Sequence, residues 1–407
     1  MTSLPTPPND KELRFEKISA PYEWLELYRP GGYHPVHLGD ELKDGQYKVV
    51  RKLGWGTFST VWLARDMKNQ RYVALKIITS NSDGNQEIDI LKHLVNSRHI
   101  THLLDHFSHS GPNGLHKCLI FEPMGPSVDN MVYEFPQYDQ KQNAMVARYP
   151  APIAKSILKQ VLQGLVQMHG NGVAHGDLKM GNMLFSVKDF DSGKVAQEED
   201  LDDRCVAWPV EGGEREGVPK YLYAAQPLTG FVDLDDSTVK LSDFGGAYFF
   251  DNPPKNLPTP TDLRSPEVIL KNHISKESDI WAFGCLIFEV ITNTRLFHIP
   301  DVNKDDEHLL QLHERLGPLP DELFGQWSRS ELYFTPERKM FNRQVEGVQK
   351  GEVPRLYMED LIDELRPDLS GMESQQVKML ISWILRYDPD RRPSAAELLR
   401  NPWFKES

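Results

Sequence analysis

Cysteine, basic charge and long apolar runs are all scarce in this chain, and each scarcity closes off a class of protein. The 407 residues hold three cysteines, Cys118, Cys205 and Cys285. They are far apart and odd in number, which supports neither a disulfide framework nor a cysteine-based zinc site and fits a reducing compartment. Lysine and arginine number 46 against 59 aspartates and glutamates, a net charge of −13. Nucleic acid is bound through a basic face that neutralises phosphates, so direct nucleic-acid binding is not expected. An acidic protein more naturally meets basic partners. The longest apolar run, Ile280 to Phe288, is too short to span a bilayer. The opening MTSLPTPPND lacks the basic start and apolar core of a secretory signal. The expectation is a soluble intracellular protein with no membrane partner.

What is present begins after residue 20. Residues 1–20 are polar and proline-containing and read as a flexible tail. From Tyr47 the pattern predicts strands: Tyr47, Val49, Arg51 and Leu53 alternate with their neighbours, Ser59 to Ala64 follows a glycine-rich turn, and Arg71 to Ile78 is a third β-rich run. Beyond Pro152 the spacing becomes helical, with Ile153, Ile157, Leu158, Val161, Leu162, Leu165 and Val166 on a stripe that stops at Gly170 and Gly172. A second helix, Asp279 to Ile291, is apolar on nearly every side and belongs in the centre of a helical body. The fold class is therefore α+β and bilobal: a small β-rich N-lobe over about 21–122, a junction at 122–126, and a larger helical C-lobe over 127–404. Residues 187–237 interrupt this order. They carry the acidic run Glu198, Glu199, Asp200, Asp202 and Asp203 and the glycine-rich stretch from Glu211 to Gly217, without sustained periodicity, and read as a solvated acidic insertion.

Five short segments carry chemistry. Gly54-Trp55-Gly56-Thr57-Phe58-Ser59-Thr60-Val61 lies between two predicted strands, where glycines let backbone N–H groups approach phosphate oxygens. Alone it is as well explained by a hairpin, and it is no dinucleotide fingerprint, because a strand and not a helix follows. Lys76, on the third strand, offers a cation for phosphates. Glu87 lies on the inward side of a helix predicted over Gln86 to Val95, with Leu91 and Leu94, whereas Asp89 points away. Asp177 and Lys179 in His175-Gly176-Asp177-Leu178-Lys179-Met180-Gly181-Asn182 suit the orientation of a hydroxyl and the neutralisation of a phosphoryl group. Asn182 and Asp243, the latter in Leu241-Ser242-Asp243-Phe244-Gly245, supply the hard oxygens that Mg²⁺ prefers. Each alone is more simply a turn former, a cap or an edge residue. In this order, they match the protein-kinase signature set.

The resemblance extends to Ser265-Pro266-Glu267, to Asp279-Ile280-Trp281-Ala282-Phe283-Gly284, and to Arg392, which stands where protein kinases carry the partner of that glutamate. More narrowly, Tyr28-Arg29-Pro30-Gly31-Gly32-Tyr33-His34-Pro35-Val36 and the run Lys52 to Ala64 resemble the SR-protein-specific kinases, over roughly residues 28–404. That resemblance implies ATP and Mg²⁺ as cofactors. It implies nucleotide contacts from Leu53, Gly54, Trp55, Gly56, Thr57, Phe58, Ser59, Thr60, Val61, Lys76, Glu87, Glu122 and Met124, and metal contacts from Asn182 and Asp243. It also implies transfer to serines in Arg-Ser repeats of splicing factors by a monomer found in cytoplasm and nucleus. The interval of 66 positions from Asp177 to Asp243 matches the insertion that splits the domain in this family. Gly176 replaces the arginine that awaits an activation-segment phosphate, which implies activity without that phosphate. Leu263, with Pro258, Thr259, Pro260 and Thr261, departs from the family's substrate-pocket wall. Asp305-Asp306-Glu307-His308 through Glu314 resembles an acidic docking insert, in which Glu307 and Glu314 would receive substrate arginines; a solvated helix face is the competing reading. Five histidines, His93, His99, His102, His106 and His109, lie close together, but without cysteine and at irregular spacing they make a poor zinc site. A catalytically dead scaffold would have lost Lys76, Asp177 or Asp243, and a small-molecule kinase generally lacks the counterparts of Glu267 and Arg392.

Overall fold

The computed structural model describes residues 22–94, 97–139, 144–188, 207–210, 215–234, 236–300, 304–341 and 357–405. The tail read over 1–20, the acidic run Glu198 to Asp203, Cys205 and Val95 lie outside the described residues. The chain divides into two compact units, Met1–Pro126 with Leu184–Lys240, and Ser127–Met183 with Leu241–Ser407.

The first unit is built on a six-stranded antiparallel sheet. Its strands are Glu41–Leu42 (β1), Tyr47–Gly56 (β2), Ser59–Asp66 (β3), Arg71–Ile78 (β4), Leu103–Gly111 (β5) and Gly114–Phe121 (β6), in the order β1-β2-β3-β4-β6-β5. Position in the sheet explains the sequence patterns. The inner strand β4 is buried at seven of its eight residues and reads as an apolar run broken by Lys76, whereas the edge strand β5 alternates half-buried with exposed. Val49, Trp62, Ala64, Val73, Leu75, Ile77, Cys118 and Ile120 form the core on one face. The helix Asn85–His93 (α1) turns Glu87, Ile88, Ile90 and Leu91 inward and leaves Asp89 exposed.

Residues 187–237 depart from the solvated loop that their lack of periodicity predicts. Among the described ones, Ala207–Pro209 (β7) and Tyr221–Tyr223 (β8) pair as a hairpin. Tyr223 sets its ring edge-on to Trp62 at 5.9 Å. Val210, Val218 and Leu222 close over Tyr22, Leu25, Tyr28 and Tyr33, and Leu228 is buried against Leu63 and Tyr72. These apolar residues cover surface offered by the sheet and the N-terminal extension, so their spacing follows that surface and shows no period of its own.

The extension is joined to β2 through charge. The side chains of Lys52 and Glu23 are 0% and 1% exposed and form an ion pair. Tyr28 donates its hydroxyl to the same carboxylate at 2.5 Å, and the Lys52 ammonium lies 5.3 Å from the Trp62 ring centre. Burial pulls the Lys52 ammonium below its ordinary value, opposed by Glu23. A pair so deep is costly to break on one side, because the other charge then has no partner.

The second unit is helical. Ala151–Gly170 (α2) buries Ile157, Leu158, Val161, Leu162 and Leu165 along the predicted stripe, and Gly172 follows with φ 72°. Glu277–Thr292 (α3) buries fourteen of sixteen residues. A Cβ on its Gly284 would come within 2.7 Å of Ile384, in Gly371–Ile384 (α5), and of Leu385, so glycine lets the two segments approach closely. Glu267 and Arg392 join in two bonds of 2.7 Å, both side chains almost fully buried.

Glu289, on α3, is an electrostatic liability. Burial, then the negative field of Asp262, pushes its carboxyl up to about 7, against the attraction of Arg295 and with Asp129 adding to the rise. Between its ordinary 4.5 and about 7 the folded chain therefore holds a proton that the unfolded chain gives up, so stability falls as pH rises through that window. Glu289→Gln is expected to match the wild type in thermal stability near pH 4 and to exceed it above pH 7 by up to about 3 kcal/mol. Parallel melting profiles against pH in the two proteins would refute this.

Candidate active site

In the first unit the glycine-rich turn is the link between β2 and β3, with Gly54 opposite Val61 and Gly56 opposite Ser59. A Cβ at Gly54 or Gly56 would meet nothing within 4 Å, and neither has positive φ. Packing and backbone conformation thus leave glycine optional at both positions, and the open space above them suits the close approach of a ligand. Trp55, Thr57 and Phe58 are exposed. Ser59 and Thr60 are buried in the sheet, where Thr60 accepts a hydrogen bond from the Trp62 indole at 3.0 Å, and Val61 is half-buried. Leu53, also half-buried, lies against Leu63, Tyr72 and Leu228.

Lys76 and Glu87 meet. The Lys76 ammonium donates to Glu87 Oε1 at 2.6 Å, with side-chain exposures of 11% and 3%. The eleven-residue interval suffices because β4 and α1 are joined by a short turn whose Gly84, at φ 66°, lets the chain reverse directly into the helix. Met124 is buried. Glu122 spends both carboxylate oxygens on Lys240 at 2.7 Å, and one also accepts from the His102 backbone N–H, so that side chain is held by the protein.

In the second unit Asp177, Lys179 and Asn182 converge on one carboxylate. Lys179 donates to Asp177 Oδ2 at 2.6 Å and the Asn182 amide donates to the same oxygen at 3.1 Å and to the Asp177 carbonyl at 2.8 Å. Asp177 Oδ1 is buried and has no hydrogen-bond partner among the described residues. The loop is held from beneath by Asp279 at the start of α3, which accepts from the His175 and Gly176 backbone N–H groups at 2.7 and 2.9 Å and lies 3.0 Å from the His169 ring. Burial alone would raise the Asp279 carboxyl, but the contacts from His169, the field of His175 and the Gly176 N–H leave it below its ordinary value. Ser242, next to Asp243, is tied to the Asn182 carbonyl by its N–H and its hydroxyl. Asp243 itself takes the left-handed conformation, φ 60°, unusual for a residue with a side chain.

Gly176 has a steric cause. Its φ is +70°, and a Cβ would lie 2.3 Å from the Gly246 carbonyl oxygen. No side chain, arginine included, fits there. The activation segment is instead fastened directly, the Thr259 hydroxyl donating to the Gly176 carbonyl at 2.6 Å and the Arg264 guanidinium to the Thr259 carbonyl at 2.9 Å.

The acidic docking pair does not form an exposed face. Lys304–Leu316 (α4) carries both residues, but Glu314 is buried and half-buried Glu307 accepts from Gln311 at 2.8 Å. Asp306 is also internal, accepting from Trp327 and Tyr333 at 2.7 and 2.9 Å. Of the charges read as a docking surface, Asp306 thus ties the helix to the segment packed on it, while Asp305 stays exposed. Of the clustered histidines, His99 contacts the Val239 carbonyl, His102 the Ser97 carbonyl, and His109 the ring of His34.

A family model described as the protein kinase domain matches residues 47–208 and 231–404, leaving out 209–230, which hold the second strand of the hairpin described above. The serine/threonine-protein kinase SRPK of Physarum polycephalum is 30% identical over 408 residues, covering 94% of this chain and 91% of that one. The chain belongs to the SRPK-type protein kinases. Similarity also spans the protein kinase dsk1 of Schizosaccharomyces pombe, 28% identical with 98% and 87% covered, and the mouse SRSF protein kinase 3, 25% identical with 93% and 89% covered. This kinase is thus an ATP-dependent serine/threonine kinase with the α+β kinase fold. Gly176 explains how it dispenses with a loop arginine, and the explanation is testable. Gly176→Ala is expected to destabilise the kinase by at least about 2 kcal/mol, from left-handed strain plus the clash with Gly246, and to lower activity at least tenfold. Wild-type melting and turnover in this variant would show that the loop relaxes around a side chain.

Proposed function

We propose that the kinase transfers the γ-phosphoryl group of ATP to serines in Arg-Ser-rich proteins, with the site residues in the following roles. The Asp177 carboxylate carries this reading: one oxygen is fixed by Lys179 and Asn182, and the other is buried without a partner. An unpartnered buried carboxylate oxygen is costly, and an incoming serine hydroxyl would relieve that cost by donating to it. Asp177 then orients the attacking oxygen, and Lys179, already beside it, offsets charge on the group in transit. Lys76, fixed by Glu87, holds the inner phosphates, and the backbone from Gly54 to Ser59 covers them. Leu53, Val61 and Met124 supply apolar contacts to the base, and Glu122 contributes through its backbone. Catalysis on this arrangement is chiefly positioning and electrostatics.

The donor set fits Mg²⁺. The Asn182 amide nitrogen is committed to Asp177, which leaves its Oδ1, and Asp243 adds a carboxylate; both are hard oxygens. These two residues would hold the ion, which when bound neutralises phosphate charge. The kinase needs no activation-segment phosphate on this reading, because Thr259 and Arg264 already fasten the segment to Gly176.

The net charge of −13 supports an Arg-rich protein substrate and speaks against nucleic acid as a partner. Among the described residues, no helix is long and apolar enough to cross a membrane. The kinase is read as a monomer acting in the cytoplasm and nucleus. A library of serine peptides with arginine or proline after the target serine tests the substrate class. Arginine is expected to be preferred, with kcat/KM rising as flanking arginines are added. Preference for proline with no response to flanking arginine would overturn it.

A further inference from the structure

We propose that Tyr33, in the N-terminal extension, is a positioning residue for the nucleotide phosphates, acting through the carbonyl of Gly56. Tyr33 is 1% exposed, and its hydroxyl donates to the Gly56 carbonyl at 2.6 Å. Gly56 is the last residue of β2 before the turn. The side chains of Trp55, Thr57 and Phe58 are exposed, so little packing holds the turn. Besides the pairing of Gly56 with Ser59 that closes it, the turn is braced from outside the hairpin by the bond from Tyr33 and by one from the Thr79 N–H to the Phe58 carbonyl at 2.8 Å.

The direction of the first bond matters. In a trans peptide the carbonyl of one residue and the N–H of the next point in opposite directions across a rigid plane. Fixing the Gly56 carbonyl toward Tyr33 therefore turns the Thr57 N–H away from the extension, to the side on which a phosphate would lie. Without the bond that plane loses its anchor on the extension and is held by the hairpin pairing alone, and glycine at position 56 eases its rotation.

Tyr33 is itself fixed firmly enough to do this. Its ring meets Tyr28 edge-on at 5.4 Å, and Tyr28 is bonded to the buried Glu23 that pairs with Lys52 on β2. Its N–H donates to the Leu27 carbonyl at 2.9 Å. Its carbonyl accepts from the buried Asn113 amide at 2.7 Å, which also donates to Gly217 at 2.7 Å. Gly32 beside it admits no side chain, since a Cβ would lie 1.9 Å from the Leu27 carbonyl oxygen. Burial, then the charge of Glu23, keeps the Tyr33 hydroxyl protonated and able to donate.

The inference rests on the reading that the glycine-rich turn covers the phosphates. Tyr33→Phe removes only the hydroxyl. In the full chain with Mg²⁺, the variant is expected to bind a non-hydrolysable ATP analogue about three- to tenfold more weakly, the range one hydrogen bond spans. Affinity for adenosine, which has no phosphates, should stay within about twofold, and the melting temperature within about 2 °C. Hydrogen exchange over residues 55–60 should quicken by a similar factor. An unchanged affinity for the analogue, or an equal loss for analogue and adenosine, would overturn the role given to Tyr33. A wild type that binds the analogue no better than adenosine would instead remove the reading of the turn, and the proposal with it.

Discussion

The loop that carries Asp177 depends on one buried carboxylate. Asp279 lies in the first turn of a largely apolar, buried helix, and it is retained there because two backbone N–H groups and the His169 ring need an acceptor. Desolvation works against the charge and the three contacts outweigh it. From this point the geometry of the second unit follows in sequence. His175 and Gly176 are fixed by their N–H groups, and Gly176 in turn presents its carbonyl to Thr259. The His175 ring lies 3.2 Å from the Ser242 carbonyl, and Ser242 returns two bonds to Asn182. The loop carrying Asp177, the segment before Asp243 and the segment at Thr259 are thereby referred to a single anchor in the core.

The first unit solves a similar problem with a different device. The glycine-rich turn exposes Trp55, Thr57 and Phe58, and so has little side-chain packing to hold it. The extension and the split-domain insertion supply what the turn lacks. Lys52 and Glu23 secure the strand leading into it, Trp62 lies against both Lys52 and Tyr223, and Asn113 joins the extension to Gly217. A buried ion pair gives little net stability but strongly penalises any arrangement that separates its members, so it acts here to select one docking geometry.

The Asp177 cluster was legible because it is local: Asp177, Lys179 and Asn182 fall within six residues and meet on one carboxylate, and β4 and α1 announce themselves by their residue pattern. The Lys76–Glu87 pair was visible as two candidates, and its short interval became intelligible only with the turn at Gly84. Other features were out of reach for physical reasons. Val210, Val218, Leu222 and Leu228 have no period because they fit a surface made by other segments. Glu307 and Glu314 looked like a charged face, since their spacing says that they share a side of the helix but not whether that side meets water. The absence of arginine at 176 was evident, and its cause was not, because a clash with the Gly246 carbonyl belongs to tertiary structure.

The central claim is that this chain catalyses phosphoryl transfer to protein serine through Asp177. The most direct measurement incubates the full chain with labelled ATP, Mg²⁺ and an Arg-Ser-repeat protein, beside the Asp177→Ala variant, and identifies the labelled residue. The account predicts label on serine with the wild type and none above background with the variant. Equal labelling by both proteins, or none by a folded wild type, would contradict it.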